Sequence, residues 1–256
     1  MRSLERKRKQ RNFPKHILKN MSSPSPAPIN EERNHKIELV KASFYFTYVF
    51  LITTGTITFI EALRTKSPEI RHVMNLETCI SIVAAVFYAM FVEKIKAFEA
   101  AGKEIPYAEI NLLRYTDWFI STPIMLLVLC VVLSMEKKKP LTFSVYFLVL
   151  VLDVAMLALG YVGEVKMIDK RVAWIASFIV FFLLYGFIWM TFMQSGKNTF
   201  GATLSYWVFF VFWSLYGVVY MADEETKNIA FNILDLIAKA FVGIFFWLYF
   251  TGVVKF

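Results

Sequence analysis

Seven apolar blocks follow one another along the chain, separated by short polar segments. They comprise residues 39–63, 73–92, 112–134, 141–162, 172–194, 202–222 and 228–254. About 20 residues of α-helix cross the roughly 30 Å of bilayer hydrocarbon, and each block is close to that length. The strands of a membrane barrel would alternate over segments of about ten residues, which these blocks do not. The pattern predicts an all-α, seven-helix, multi-pass protein in a lipid bilayer, with residues 93–110 and 223–227 among its connections.

Composition supports membrane insertion and gives little support to soluble-enzyme chemistry. Hydrophobic residues make up 57% of the chain, against about 45–50% in soluble domains. The two cysteines, Cys79 and Cys130, lie within apolar blocks and are too few for a zinc site. The chain has no phosphate-binding loop, dinucleotide fingerprint, zinc-protease motif or nucleophile elbow. We therefore predict neither an enzyme nor a metal site.

Residues 1–36 differ in kind from the rest. They are strongly basic, contain the linker SSPSPAP, and carry much of the formal net charge of +8. This composition predicts a disordered, solvated tail ahead of a membrane domain at residues 37–256. Binding of the tail to anionic lipid or nucleic acid is the alternative, and Met21 is an alternative start. We expect no nucleic-acid partner for the membrane domain.

The short connections give an orientation. The first carries Arg64, Lys66 and Arg71, the third Lys137 to Lys139 and the fifth Lys197, with few acids, as short cytoplasmic loops do, whereas the sixth is acidic. We expect an extracellular N-terminus and a cytoplasmic C-terminus. The basic tail opposes this assignment, but the linker separates it from the membrane.

Charged residues inside two apolar blocks are the strongest sign of function. Asp235 and Lys239 are four residues apart on one face of the seventh helix. A lysine within the membrane marks a functional site by default, and its amine can form a Schiff base with an aldehyde. A purely structural ion pair with Asp235 is the alternative. In the third helix, Arg114, Asp117 and Ser121 share a face, so two cations and two anions can form one nearly neutral cluster.

Aromatic residues flank these charges. Trp118 follows Asp117, and FWSLYGVVY places Trp213, Tyr216 and Tyr220 at spacings of three and four residues on the sixth helix. Such a stripe alone usually indicates core packing. Beside a buried lysine, it favours the walls of a flat polyene site.

Four motifs together resemble those of the microbial (type 1) rhodopsins, in the same order and on the corresponding helices. They are RYTDWFISTP on the third helix, LDVAMLALGYVG on the fourth, FWSLYGVVY on the sixth and LDLIAKAFVGI on the seventh. The resemblance covers all seven helices, and the chain is most similar to the rhodopsins of giant algal viruses. One group of these resembles light-gated cation channels.

The resemblance implies all-trans retinal bound covalently to Lys239. Asp117 would be the main counter-ion and proton acceptor and Asp235 the second, with Arg114 balancing them. Thr122 and Asp153 would pair between the third and fourth helices. The residues expected to line the chromophore are Trp118, Thr122, Met125, Met156, Gly160, Trp213, Tyr216 and Tyr220.

Several positions depart from the pattern of proton pumps. Val128 stands where such a pump has a donor carboxylate, Gly217 replaces the sixth-helix proline, and Lys227 replaces a proton-releasing glutamate. Glu77 in the second block is a substitute donor, a carboxylate of a cation path, or a snorkelling side chain near a helix end. Ser43, Thr53, Thr54, Thr56 and Thr58 make the first helix polar, which suits either interhelical packing or a wetted pore.

Three functions remain open. The missing donor at position 128 and the polar first and seventh helices favour a light-gated channel for monovalent cations and protons. Its ion path would be lined by Glu77, Ser121, Asp153, Asn228 and Asn232. The alternatives are an outward proton pump with Glu77 as donor and a slow-cycling photosensor. A homo-oligomer is compatible with each.

Overall fold

The structure is a computed structural model that describes residues 29–194 and 196–253. Most of the predicted basic tail therefore lies outside the described residues. Within the described residues, those from Ile37 onward form one compact unit. The described part is helical and contains seven helices long and apolar enough to cross a membrane, which confirms the predicted seven-helix fold.

The spans are α1 (Ile29–Arg64), α2 (Pro68–Ala100), α3 (Tyr107–Lys137), α4 (Phe143–Glu164), α5 (Lys170–Met193), α6 (Phe200–Val219) and α7 (Glu224–Thr251). Two of them contain wider π-helical turns. In α5 the α-helical part Lys170–Ile188 is followed by the π-helical turn Trp189–Met193. In α7 the π-helical segment Leu236–Phe241 joins the α-helical parts Glu224–Asp235 and Val242–Thr251.

Two predicted connections are mostly helical, so their assignment as loops was wrong. Of residues 93–110, only those between Ala100 and Tyr107 lie outside α2 and α3. Polar helical turns continue past the apolar blocks here, and Lys94 of α2 pairs with Glu109 of α3. Of residues 223–227, only Asp223 precedes α7, and its carboxylate accepts a hydrogen bond from the Thr226 backbone N–H at 3.0 Å. Hydropathy identifies the apolar part of a helix and misses its solvated ends.

The helix starts are fixed by side-chain caps. Side-chain oxygens accept hydrogen bonds from free backbone N–H groups of the first turn in five helices, at Ser67, Thr142, Asp169, Thr199 and Asp223. Each such cap typically stabilises a helix by about 0.5–2 kcal/mol. In these five helices the chain can therefore leave a short loop while a backbone N–H of the first turn keeps a hydrogen-bonding partner, whereas α3 follows Pro106 without a side-chain cap.

Helices α3 and α7 form the centre of the bundle. In their most apolar stretches, 56% and 61% of the residues are buried inside the protein, against 17% for α4. A helix with most of its surface covered by protein can carry charges that lipid would not tolerate. Of the buried ionisable groups in the motifs, Arg114, Asp117, Asp235 and Lys239 therefore lie on these two helices, whereas Asp153 lies on α4.

Close approach of α4 and α5 depends on Gly163. A Cβ atom on Gly163 would lie 2.3 Å from the Ala173 Cβ and 2.6 Å from the Tyr220 hydroxyl oxygen. We predict that Gly163→Ala destabilises the bundle by about 1–3 kcal/mol, because the helices must separate to admit the methyl group. The measurement is the midpoint of thermal unfolding in detergent.

Gly186→Ala is the matched control. It lies within α5, and a Cβ there would meet nothing within 4 Å. It should leave the midpoint unchanged or raise it slightly, because alanine favours a helix by about 1 kcal/mol over glycine. Equal effects of the two substitutions would contradict the role assigned to Gly163.

Candidate functional site

Lys239 lies at the middle of the bundle, within the π-helical segment of α7. Its side chain is 1% exposed. A π-helical turn is wider than an α-helical one and is frequently found at functional sites. This turn therefore surrounds the residue that the sequence marks as reactive.

Two carboxylates face the Lys239 amine. Its Nζ donates a hydrogen bond to Asp117 Oδ2 at 2.7 Å and lies 3.4 Å from Asp235 Oδ1. Both aspartates are fully buried. Asp117 Oδ1 has no hydrogen-bond partner among the described residues. Asp117 thus makes the shorter contact, and one of its oxygens is free to accept a further bond.

Asp235 is also held by three other groups. Tyr216 and Tyr88 donate their hydroxyl hydrogens to its two oxygens at 2.7 and 2.8 Å, and Arg114 approaches it at 3.3 Å. A carboxylate that accepts several bonds is stabilised in its charged form. With Arg114 and Lys239 as cations and the two aspartates as anions, the buried cluster has a formal charge near zero.

Arg114 extends this cluster toward the end of the bundle where α7 begins. Its second terminal nitrogen donates to the Asn232 and Asn228 side-chain oxygens at 2.8 and 3.2 Å. The guanidinium carbon also lies about 5.1 to 5.5 Å from the ring centres of Phe44, Phe91 and Phe231. Amide oxygens and aromatic faces therefore stabilise a buried cation that has only one carboxylate in contact.

A second, partly buried charge cluster lies beyond Asn228. Asn228 donates to the Asn111 side-chain oxygen at 3.4 Å, and Asn111 donates to Glu164 and Glu224 at 2.6 and 2.8 Å. Lys227 joins the same two glutamates at 2.7 and 2.8 Å. Both glutamates also line a polar surface cleft. A hydrogen-bonded network thus runs from Asp235 through Arg114 to the surface.

Lys239 also lines a mainly apolar cavity. Nine residues that the resemblance assigns to the chromophore line it, namely Trp118, Thr122, Met125, Met156, Gly160, Trp213, Tyr216, Tyr220 and Lys239. Further lining residues, which the sequence analysis did not assign to the cavity, are Tyr115, Leu157, Trp174, Ser177, Phe178, Phe181, Gly217 and Phe231. Trp174, Phe178 and Phe181 follow a helical spacing on α5, a signal that could have identified them.

These residues fit a flat, apolar group attached at Lys239. The walls are largely aromatic, and a Cβ on Gly217 would lie 2.5 Å from the Phe178 ring, so the glycine leaves room for that wall. The lysine amine at one end supplies the point of attachment. At one side of the cavity, the Thr122 hydroxyl donates to Asp153 at 2.8 Å, the pairing that the resemblance implies.

The five residues assigned to an ion path have separate surroundings in the structure. Asn228 and Asn232 lie with Arg114, whereas Asp153 pairs with Thr122 between α3 and α4. The Ser121 hydroxyl is buried and has no partner among the described residues. Glu77 lies elsewhere, beside the part of α7 that follows Lys239.

Residues 39–253 match the family of bacteriorhodopsin-like proteins. The chain belongs to this family, and the predicted resemblance to microbial rhodopsins is confirmed. Membership implies a retinal chromophore, and the family consists of light-driven transporters and sensors in general rather than enzymes.

Solved structures agree with this assignment. The viral rhodopsin OLPVRII is 44% identical, with a TM-score of 0.77, covering 85% of this chain and 100% of that one. Blue light-absorbing proteorhodopsin from Med12 is 22% identical, with a TM-score of 0.66, covering 82% of this chain and 96% of that one. Xanthorhodopsin is 20% identical, with a TM-score of 0.68, covering 83% and 92%. The last two show the shared fold alone. A search of curated proteins found no match.

Proposed function

We propose that this chain is a light-driven outward proton pump that carries all-trans retinal on Lys239. The observation that carries this proposal is the position of Glu77. This buried acid has no charged partner among the described residues and lies beside α7 on the opposite side of Lys239 from Arg114. The sequence analysis favours a channel, and the geometry favours the pump.

The proton acceptor in this proposal is Asp117. Bound retinal would supply light absorption and an isomerisation that changes the direction and acidity of the N–H group at Lys239. Asp117 would take that proton, a role supported by the 2.7 Å contact between its Oδ2 and the Lys239 nitrogen. Asp235 would stay ionised, because two hydroxyls and Arg114 already stabilise its charge.

Glu77 would return a proton to the Lys239 nitrogen. The side chain is 1% exposed, and a Cβ built on Gly243 would lie 3.0 Å from Glu77 Oε2. Gly243 is four residues after Lys239, or about 6 Å along the α7 axis. An unpaired carboxylate is costly to bury, so Glu77 should hold a proton in the dark and serve as its source.

A cation channel receives less support from this arrangement. Conduction requires a continuous path with groups that can replace the hydration shell of the ion. On the Glu77 side of Lys239, the packed interior includes Val128, Leu129, Leu133, Val242 and Phe246, all buried. Such a barrier would oppose a hydrated cation while a single carboxyl group could still transfer a proton.

The direction of pumping follows from the proposed orientation. If the N-terminus is extracellular, α7 begins at the outer surface, and the network from Arg114 to Glu164 and Glu224 leads outward. Glu77 then lies on the cytoplasmic side. Protons would leave by the first side and be replaced from the second.

The first test is the photocurrent as a function of voltage in cells that express the chain and receive retinal. A pump gives an outward current at all voltages near the resting potential. Glu77→Gln should reduce the stationary current about 100-fold, because return of the proton becomes slow. The control is Glu69→Gln, an exposed carboxylate on the same helix. It should leave the current unchanged.

Other outcomes would contradict the proposed pump function or the proposed donor. A current that reverses sign near a cation equilibrium potential would identify a channel. A coloured protein with no stationary current would identify a sensor. An unchanged current in Glu77→Gln would remove Glu77 as the donor.

The attachment site can be tested separately. Lys239→Ala should abolish visible absorbance in protein prepared with retinal, because no other lysine lines the cavity in the described structure. Lys227→Met is the matched control, since Lys227 is a second buried lysine on α7. Its absorbance in the visible should persist. A coloured Lys239→Ala protein would refute the proposed attachment.

The two aspartates should differ in their effect on colour. Asp117→Asn should shift the visible absorption maximum to the red, because the protonated nitrogen at Lys239 loses the carboxylate in closest contact. The comparison is Asp235→Asn, measured under the same conditions. A larger red shift in Asp235→Asn would make Asp235 the dominant counter-ion and contradict the assignment.

A further inference from the structure

One side of α1 presents polar residues to α7. Thr47 and Thr54 donate hydrogen bonds to the backbone carbonyls of Asn232 and Ala240 at 3.0 and 3.3 Å. Both threonines are 1% exposed. By contrast, Thr53 and Thr56 are exposed and bond to carbonyls of their own helix. The polar residues of α1 therefore fall into a lipid-facing set and a buried set.

Glu77 lies at the level of Thr54 in this interface. A Cβ on Gly243 would be 2.8 Å from the Thr54 methyl carbon and 3.0 Å from Glu77 Oε2. Because Gly243 has no side chain, both Thr54 and Glu77 can pack against α7. The donor proposed above is therefore part of the interface between α1, α2 and α7.

One turn further along α1, two hydroxyls meet. Thr58 Oγ1 and Thr78 Oγ1 are 2.9 Å apart, and the two residues are 0% and 6% exposed. Thr78 is the neighbour of Glu77 in the chain. Each hydroxyl also has a carbonyl acceptor on its own helix, Thr54 O at 3.0 Å for Thr58 and Met74 O at 2.8 Å for Thr78. Because a hydroxyl can both donate and accept, the pair can pass a proton along the interface when one of these carbonyl bonds is exchanged.

Glu61 follows on the same face. Thr54, Thr58 and Glu61 are spaced by four and three residues, so they share one side of α1. Glu61 is half-buried and accepts a hydrogen bond from the Trp247 indole N–H of α7 at 3.4 Å. It lies three residues from the end of α1 at Arg64, where solvent can reach it.

The distance along α1 explains why a hydroxyl pair is needed between Glu61 and Glu77. Glu61 is seven residues beyond Thr54, or about 10 Å along the axis, which is too far for a direct hydrogen bond to Glu77. Thr58 lies between these levels on α1, and its hydrogen-bonding partner Thr78 adjoins Glu77 on α2. The sequence of groups is therefore a carboxyl near the surface, a hydroxyl pair and a buried carboxyl.

We propose that Glu61 relays protons from the cytoplasm to Glu77 through the Thr58–Thr78 hydroxyl pair. The proposal rests on the proposed function of Glu77 as donor. In the relay step, the Glu61 carboxyl loses its proton, the hydroxyl pair passes one on, and the Glu77 carboxylate gains one. Glu61 then takes a proton from solvent, so charge and protons balance without any redox partner.

Glu136 is the competing point of proton uptake at the same end of the bundle. Its two carboxylate oxygens accept hydrogen bonds from the hydroxyls of Thr199 and Tyr249. Between Glu136 on α3 and the level of Lys239, the α3 face includes Val128, Leu129, Val132 and Leu133, all at most 1% exposed. The interface along α1 therefore contains buried hydroxyl groups, whereas the α3 face beyond Glu136 consists of hydrocarbon side chains.

The test is hydrogen–deuterium exchange of the Glu77 carboxyl in the dark pigment. Infrared spectroscopy follows the C=O band of the protonated acid, assigned by its loss in Glu77→Gln, after transfer to D2O. Glu61→Gln should slow the exchange roughly tenfold or more. Thr58→Val should also slow it, because the valine keeps the shape and removes the hydroxyl.

Matched controls separate the relay from general effects of substitution. Thr56→Val changes a lipid-facing threonine of the same helix, and Glu69→Gln changes an exposed carboxylate at the same end of the bundle. In both variants, the Glu77 carboxyl should exchange its hydrogen at the rate of the unmodified protein. Glu61→Asp should recover part of the rate, since it keeps a carboxyl. Unaltered visible absorbance verifies that each variant is folded.

The outcomes distinguish this inference from the proposed function. Unchanged exchange in both Glu61→Gln and Thr58→Val, or slow exchange in Glu136→Gln instead, would overturn the relay and leave Glu77 as donor. If no C=O band is lost in Glu77→Gln, then Glu77 is not protonated in the dark, and the donor assignment itself fails.

Discussion

The contact between Lys239 and Asp117 is the interaction on which the rest of the interior depends. A lysine in the middle of a bilayer protein needs an anion in contact, and breaking a buried ion pair typically costs about 3–5 kcal/mol. The 2.7 Å bond meets this need and joins α7 to α3. Asp235 adds a second anion, which in turn requires Arg114 as a second cation. The amides and aromatic rings around Arg114 follow from that requirement, because only one carboxylate reaches it.

The same contact divides the bundle into two unlike halves. Toward the start of α7, polar groups follow one another from Asp235 to the cluster of Lys227 with Glu164 and Glu224. Toward the end of α7, the core beside α3 is hydrocarbon, and the buried polar groups near Glu77 lie in the interface with α1. Gly243 makes that interface close enough for Glu77 to reach α7.

The sequence predicted the central cluster because charges inside apolar segments are rare. Lys239, Asp235, Asp117 and Arg114 stood out against their surroundings, and helical spacing placed them on common faces. The cavity residues of α5 gave a weaker signal, since Trp174, Phe178 and Phe181 resemble lipid-facing aromatics when only composition is considered. Glu61 gave almost no signal in the sequence, because carboxylates are common near the ends of membrane helices. Its position beside Trp247 and on the face of Thr54 and Thr58 emerges only when α1, α2 and α7 are packed together.

The helix ends and the ion path show a second limit of sequence reasoning. Residues 93–110 are polar yet mostly helical, because a helix can continue beyond the bilayer where water solvates its side chains. An ion path needs lateral contact between residues of different helices, which one-dimensional spacing does not give. In the structure, Asn228 and Asn232 contact Arg114, Asp153 pairs with Thr122, and Glu77 lies beside the part of α7 that follows Lys239. The unequal polarity on the two sides of Lys239 suits the proposed directional proton transfer: the proposed acceptor, Asp117, is in contact at 2.7 Å, whereas the proposed donor, Glu77, lies beside Gly243, about one helical turn further along α7.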